Sequence, residues 1–279
     1  MSFLLVWIYI CKNPNIMRRT TKLSMAILLA STLFISCKKD NSSVTPTASP
    51  VPSAPTPSFG SDVDGALVSL RINFSYDPNK FASLPISVPV VDLEAESAVA
   101  VFGNLGTGAY SNAGTVSVNS NSLEKLSNNS YTKLAFDYTS ADFSLDFSGG
   151  SSWSVGGSSD VTAFTYDHTQ TFPNYSGRAS MPETATTTSA LTVSLSGVSN
   201  ADSVYVLLAG NGKQVLKHLG SSASSTTFTA AEVASIGTTD GKATAFLEVC
   251  PWRYLIVSKN SKDYAFVKEY AVVKNVTIN

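Results

Sequence analysis

The sequence predicts an all-β protein, two β-sandwich domains of which the second is immunoglobulin-like, placed behind a signal peptide and a disordered linker. Three observations carry this expectation. From Gly65 onward apolar and polar side chains alternate with a period of two, the signature of strands with one buried face. Clusters of Gly, Asn and Ser interrupt that alternation every roughly 8–12 residues, as in sandwiches. Charged residues are 14% of the chain, well under the usual ~25%, while 43 Ser and 26 Thr make up about a quarter of its 279 residues. That mixture belongs to an exported β-protein rather than to a cytosolic helical enzyme. A net charge of -1 and a pI near 6.1 exclude the basic stripe that nucleic-acid binding requires.

Residues 1–36 read as a leader. Met17-Arg18-Arg19-Thr20-Thr21-Lys22 is a cationic head, and the apolar run Leu23 to Ile35 is too short for a bilayer span, which needs ~20 residues. An apolar stretch upstream of such a head has no role in export, so the expected start of translation is Met17. The run ends in Phe34-Ile35-Ser36-Cys37, which resembles a bacterial lipobox. That resemblance implies diacylation of the Cys37 thiol, which would make Cys37 the mature N-terminus and tie the chain to the membrane. Cleavage there removes Lys12, Arg18, Arg19 and Lys22, leaving 15 basic against 20 acidic residues and a net charge of -5. With Cys37 acylated, Cys250 is the one cysteine left in the mature chain, so no intramolecular disulfide is expected. Residues 37–60 follow as the lipidated end and a tether with prolines at 46, 50, 52, 55 and 57, unable to order a core. At ~3.1 Å per residue such a tether reaches up to ~60 Å.

A β-rich domain is expected over 61–184. Val68, Leu70, Ile72, Phe74 and Tyr76 line one face of its first strand. Further strands are expected at 85–91, 97–102, 114–119, 131–138, 143–147, 151–155 and 161–166. The stretch from Phe172 to Thr188 holds two prolines and no period, and places the boundary between domains. The immunoglobulin-like domain then spans 185–279. Leu191, Val193 and Leu195 alternate; 203–209 and 213–219 form a hairpin about Gly210-Asn211-Gly212. Thr229-Ala230-Ala231-Glu232 is a capping box that opens a short helix ending at Gly237. Strands at 242–249, 252–258 and 264–278 complete it, the last long enough to be bent or split.

The blocks 113–119 (AGTVSVN), 152–155 (SWSV), 172–177 (FPNYSG) and 196–204 (SGVSNADSV) resemble those of uncharacterised Bacteroidota-type lipoproteins. The resemblance implies a lipid-anchored protein of the outer membrane, with the cell surface and the periplasmic face both open. It carries no catalytic residue.

Candidate chemistry is sparse. His168 and His218 lack a second ligand at metal-like spacing, and no Gly-x-Ser-x-Gly elbow is present. Asp62-Val63-Asp64-Gly65 begins like a calcium loop but runs straight into a strand. Asp142 and Asp146 would lie ~13 Å apart on a strand, too far for a glycosidase pair. Cys250, at a strand end, reads as a small core residue. Trp252 and Tyr254 alternate on one strand face, either as core or as rings for stacking a sugar. Ser203, in Asp202-Ser203-Val204, resembles an acceptor for O-glycosylation in such bacteria. No metal and no cofactor is expected. The leading expectation is a non-catalytic binding or interaction module of the cell envelope, with a glycan or an envelope protein as partner. A structural subunit of an envelope complex and a hydrolytic enzyme are the alternatives.

Overall fold

The computed structural model describes residues 63–76, 91–105, 110–134, 144–237 and 243–279. These residues form an all-β sandwich architecture with one short helix. Cys37, expected as the lipidation site, the segments expected as leader and tether, Asp142 and most of the strand expected at 85–91 lie outside them.

One nine-stranded sheet organises the fold. Its strands are β1 (Gly65–Tyr76), β2 (Val91–Phe102), β5 (Glu124–Lys125), β6 (Tyr131–Leu134), β10 (Thr184–Ala185), β13 (Ser203–Gly210), β14 (Lys213–Gly220), β16 (Ala243–Lys259) and β17 (Lys262–Ile278). They run in the order β14-β13-β16-β17-β1-β2-β6-β5, and β10 pairs with the end of β17. Every neighbouring pair is antiparallel except where β1 and β10 join β17. β1 pairs in parallel with β17 from Gly65 opposite Tyr264 to Phe74 opposite Val273. The sheet therefore joins residues from both sides of the boundary expected at 184–185.

β16 and β17, 17 residues each, make a hairpin closed by Asn260 and Ser261, both at positive φ, the two-residue turn whose twist suits the flanking strands. Where the sequence places two strands, β16 is one. Its pairing with β13 runs through Cys250 and Pro251, while its ladder with β17 skips from Val249–Val272 to Trp252–Glu269. A proline cannot donate to a ladder, so the break expected from Pro251 appears as this local gap.

Two apolar clusters sit on the same face of the sheet. In the first, Leu67, Ala98, Ala100, Phe102, Tyr264 and Phe266 meet a four-stranded sheet of β3 (Val116–Val118), β4 (Asn121–Ser122), β7 (Ser151–Val155) and β8 (Phe164–His168). Trp153 plugs this lobe and is 1% exposed. In the second, Val204, Val206, Leu208, Leu247, Val249 and Val276 meet the β11 (Leu191–Ser194) and β15 (Ser225–Phe228) ribbon together with the helix α1 (Ala230–Ile236). Beside this second cluster, which Tyr175 joins, β9 (Asn174–Tyr175) pairs with β12 (Val198–Ser199). The strand expected at 143–147 is not formed over its described part, because Asp146 takes a left-handed conformation and Phe147–Gly149 turn as a 3-10 helix.

The opposite face of the large sheet carries Ala66, Val68, Leu70, Ile72, Ala265, Val267 and Ala271, with Cys250 and Trp252, all buried.

A candidate binding cleft between two lobes

The period of two that builds the cores also builds a polar seam between them. On the lobe-bearing face, β17 presents Phe266 to one core and Val272 to the other, and the two residues of the same parity in between are Lys268 and Tyr270. By the same alternation β1 contributes Ser69, Arg71 and Asn73, β2 contributes Glu96 and Glu94, and β16 contributes Arg253. Residues 168–174 cross this seam from β8 to β9. A cleft of about 430 Å³ opens there, lined among others by Arg71, Glu94, Gln170, Phe172, Lys268 and Tyr270.

Each charge is fixed by its neighbours. Arg71 donates from Nε to Glu96 at 3.1 Å, and its guanidinium lies 4.7 Å from the centre of the Phe172 ring. Glu96 uses its other oxygen to accept from the backbone N–H of Leu145 at 2.6 Å and from the Ser144 hydroxyl at 2.9 Å, pinning the 144–147 turn. Lys268 is fully buried; its ammonium donates to the carbonyls of His168 and Gln170 and also stands 4.7 Å from the Phe172 ring. Glu94 accepts from Asn73 at 3.3 Å and from the Tyr270 hydroxyl at 3.5 Å. At the rim Arg178 pairs with Asp92 at 2.9 Å.

These surroundings tilt the titrations. Burial, reinforced by Arg71 and Arg253, lowers Lys268 to about 8. Burial lowers His168 to about 4; the Gln170 hydrogen bond opposes this and the charges of Lys268 and Arg253 add to it. The seam thus gathers cations that repel one another beside the carboxylates Glu94 and Glu96, a set of fixed charges that can orient an anion or a polar body.

Of the residues singled out from sequence, His168 borders the seam through its carbonyl, while Trp252, Tyr254, Ser203 and Cys250 lie elsewhere. Trp252 is fully buried, its ring stacked 5.4 Å from Tyr205 and 5.6 Å from Tyr254, so the sugar-stacking surface entertained for Trp252 and Tyr254 is corrected at Trp252: its faces are taken up in an aromatic stack, with Tyr254 half-buried beside it. Ser203, the O-glycosylation candidate, is 4% exposed with its hydroxyl 3.1 Å from His218 Nε2, which leaves no room for a glycan in the folded chain. That Ser203–His218 contact was not legible in the sequence, since the two meet only through the β13–β14 register. It pairs a nucleophile with a base, but no acidic group among the described residues bonds the His218 ring to orient it. Cys250 is buried and unpaired, its thiol pushed up by burial and by Glu269 and Glu248. No group of three His, Cys, Asp or Glu able to hold a metal is formed among the described residues. The seam itself was missed, and the available signal was the charged pair at positions 268 and 269 inside an apolar strand.

No family model, curated protein or solved structure matches this chain.

Proposed function

We propose that this chain is a lipid-anchored binding module of the bacterial outer membrane, held by acylated Cys37 and displayed on its proline-rich tether, with the cleft between the lobes as its binding surface. The observation that carries the reading is the cleft's chemistry. Its charged side chains are immobilised by hydrogen bonds and ring contacts, which favours recognition with little loss of side-chain freedom. In this reading the cleft holds its ligand by contact, without turnover.

The anchor is tested by Cys37→Ser in a cell labelled with palmitate. The expected result is loss of label and release of the chain from the membrane fraction. Retention of the variant in that fraction overturns the anchor. Protease shaving of intact cells then assigns the face: loss of the chain places it on the surface, and protection places it in the periplasm.

A further inference from the structure

We infer that the cleft binds a single carboxylate carried on a hydroxyl-rich body, a uronate sugar, with the Arg71 guanidinium meeting the carboxylate and the buried Lys268 ammonium beneath supplying charge to it. This names the ligand class of the site proposed above and rests on that reading.

The first argument is a missing counter-charge. Lys268 is 0% exposed and lines the cleft, yet none of the ion pairs among the described residues includes it. Two carbonyls and a ring face replace only part of the water that a buried ammonium gives up, and an ion left without an opposite charge in such a place is costly. Tying 168–170 to the sheet would require a donor there, not a second and a third cation next to it. Arg253 stands directly opposite Lys268 in the β16–β17 register, and Arg71 lies on the neighbouring strand.

Unused donors supply the second argument. Arg71 spends Nε on Glu96, and its two terminal nitrogens make no hydrogen bond among the described residues. A guanidinium presenting both ends is the fork that a carboxylate fits. Of the charged side chains lining the cleft, Arg71 and Lys268 are cations and Glu94 is an anion, and the one positive charge left over matches a carboxylate better than a phosphate, which carries ≈ -1.5 to -2. Around the charges stand the Gln170 and Asn174 amides and the Tyr270 hydroxyl, and a cleft of about 430 Å³ falls within the ~300–1,000 Å³ of small-ligand sites. Amides and hydroxyls in that number suit a body with many hydroxyls of its own.

Titration calorimetry on the full chain in detergent tests this with sodium glucuronate, a galacturonate trimer, sodium acetate and glucose. The expected order has glucuronate at least tenfold tighter than acetate and glucose. Arg71→Gln lowers uronate affinity at least tenfold, Arg71→Lys lowers it less, and a thermal melt of each variant reports whether it folds. Lys268→Met should also lose the uronate; should that variant fail to fold, the Arg71 pair decides. A trimer that binds more tightly than glucuronate assigns a polysaccharide as source, and equal affinities assign the free sugar acid. Uronate binding that is absent, or unchanged in folded Arg71→Gln, overturns the inference. Glucose bound as tightly as glucuronate overturns the carboxylate while leaving a binding module in place. Retention of Cys37→Ser in the membrane removes the anchor without touching the cleft.

Discussion

Glu248 and Glu269 show how much a single buried side chain decides. Both lie on the sheet face turned away from the cleft, each 2% exposed, and both Glu248 oxygens and one Glu269 oxygen receive no hydrogen bond. A carboxylate in such a place favours its neutral form. Burial pushes Glu269 up to about 8, and burial with the charge of Glu269 pushes Glu248 well above its ordinary value. A folded value above the unfolded 4.5 means that the native chain holds the extra proton, so the contribution to stability is fully present below pH 4.5 and is lost as pH rises through about 8. His168 acts in the opposite sense: lowered to about 4 from 6.5, it favours the native chain above pH 6.5 and loses that contribution as pH falls through 4. Lys268, lowered from 10.5 to about 8, adds stability only as pH rises beyond 8. The window between pH 6.5 and 8 therefore isolates the carboxyls. Urea unfolding across it should show stability falling with pH, by up to ~1.4 kcal/mol per pH unit for each such group. Glu269→Gln should flatten the slope and raise stability at pH 8 by a few kcal/mol. An unchanged slope in the variant would mean that Glu269 is ionised in the native fold.

Short elements are held by local chemistry that substitution can remove. α1 begins with a reciprocal cap: the Thr229 hydroxyl accepts from the Glu232 N–H at 3.2 Å, and Glu232 accepts from the Thr229 N–H at 2.8 Å while pairing with Lys217 of β14. Thr229→Ala should cost about 1 kcal/mol in chemical denaturation, and Glu232→Ala more, because it also releases the helix from the sheet. In the other lobe Gly114 takes a φ of 71°, and a Cβ there would sit 2.1 Å from the Gly157 carbonyl oxygen. Gly114→Ala should therefore destabilise by ~1–3 kcal/mol through backbone strain, read as a lowered midpoint; a neutral result would mean that the 114–157 approach is loose. Elements of this kind were largely legible in the sequence. The cap, the Asn211-Gly212 turn and strand β7 (Ser151–Val155) follow from residues adjacent in the chain. What escaped was set by partners distant in sequence. The parallel pairing of β1 with β17 unites residues about 200 positions apart, and the cleft exists only because that pairing sets Arg71 beside Lys268 and Tyr270. Pro251 misled for the same reason: within a short window it looks like an interruption, whereas a strand paired on both sides carries it along.

Across the whole molecule the consequence is mechanical continuity. β16 and β17 each give one end to the first core, through Val257 of β16 and Tyr264 and Phe266 of β17, and the other end to the second, through Leu247 and Val249 of β16 and Val276 of β17. Residues expected to form separate domains on either side of 184–185 thus share two strands, and neither core retains its sheet if that hairpin melts. Unfolding should then be one transition. The sharpest probe perturbs one core and observes the other. Leu247→Ala empties a fully buried site in the second core and should cost ~2–5 kcal/mol. With 5-fluorotryptophan incorporated, Trp153 reports from inside the first core and Trp252 from the shared sheet, each through its own fluorine resonance. Linkage through the hairpin requires both resonances to leave their native positions at the same, lowered denaturant concentration, and to coincide with loss of the far-ultraviolet circular dichroism. If Trp153 keeps its wild-type midpoint while Trp252 shifts, the lobes unfold independently and the shared strands do not couple them. Coincident transitions also bear on the cleft, since Lys268 projects from a strand that the two cores hold in common and Arg71 from β1 paired to it, and their spacing is then fixed by the stability of the whole sheet rather than by either lobe.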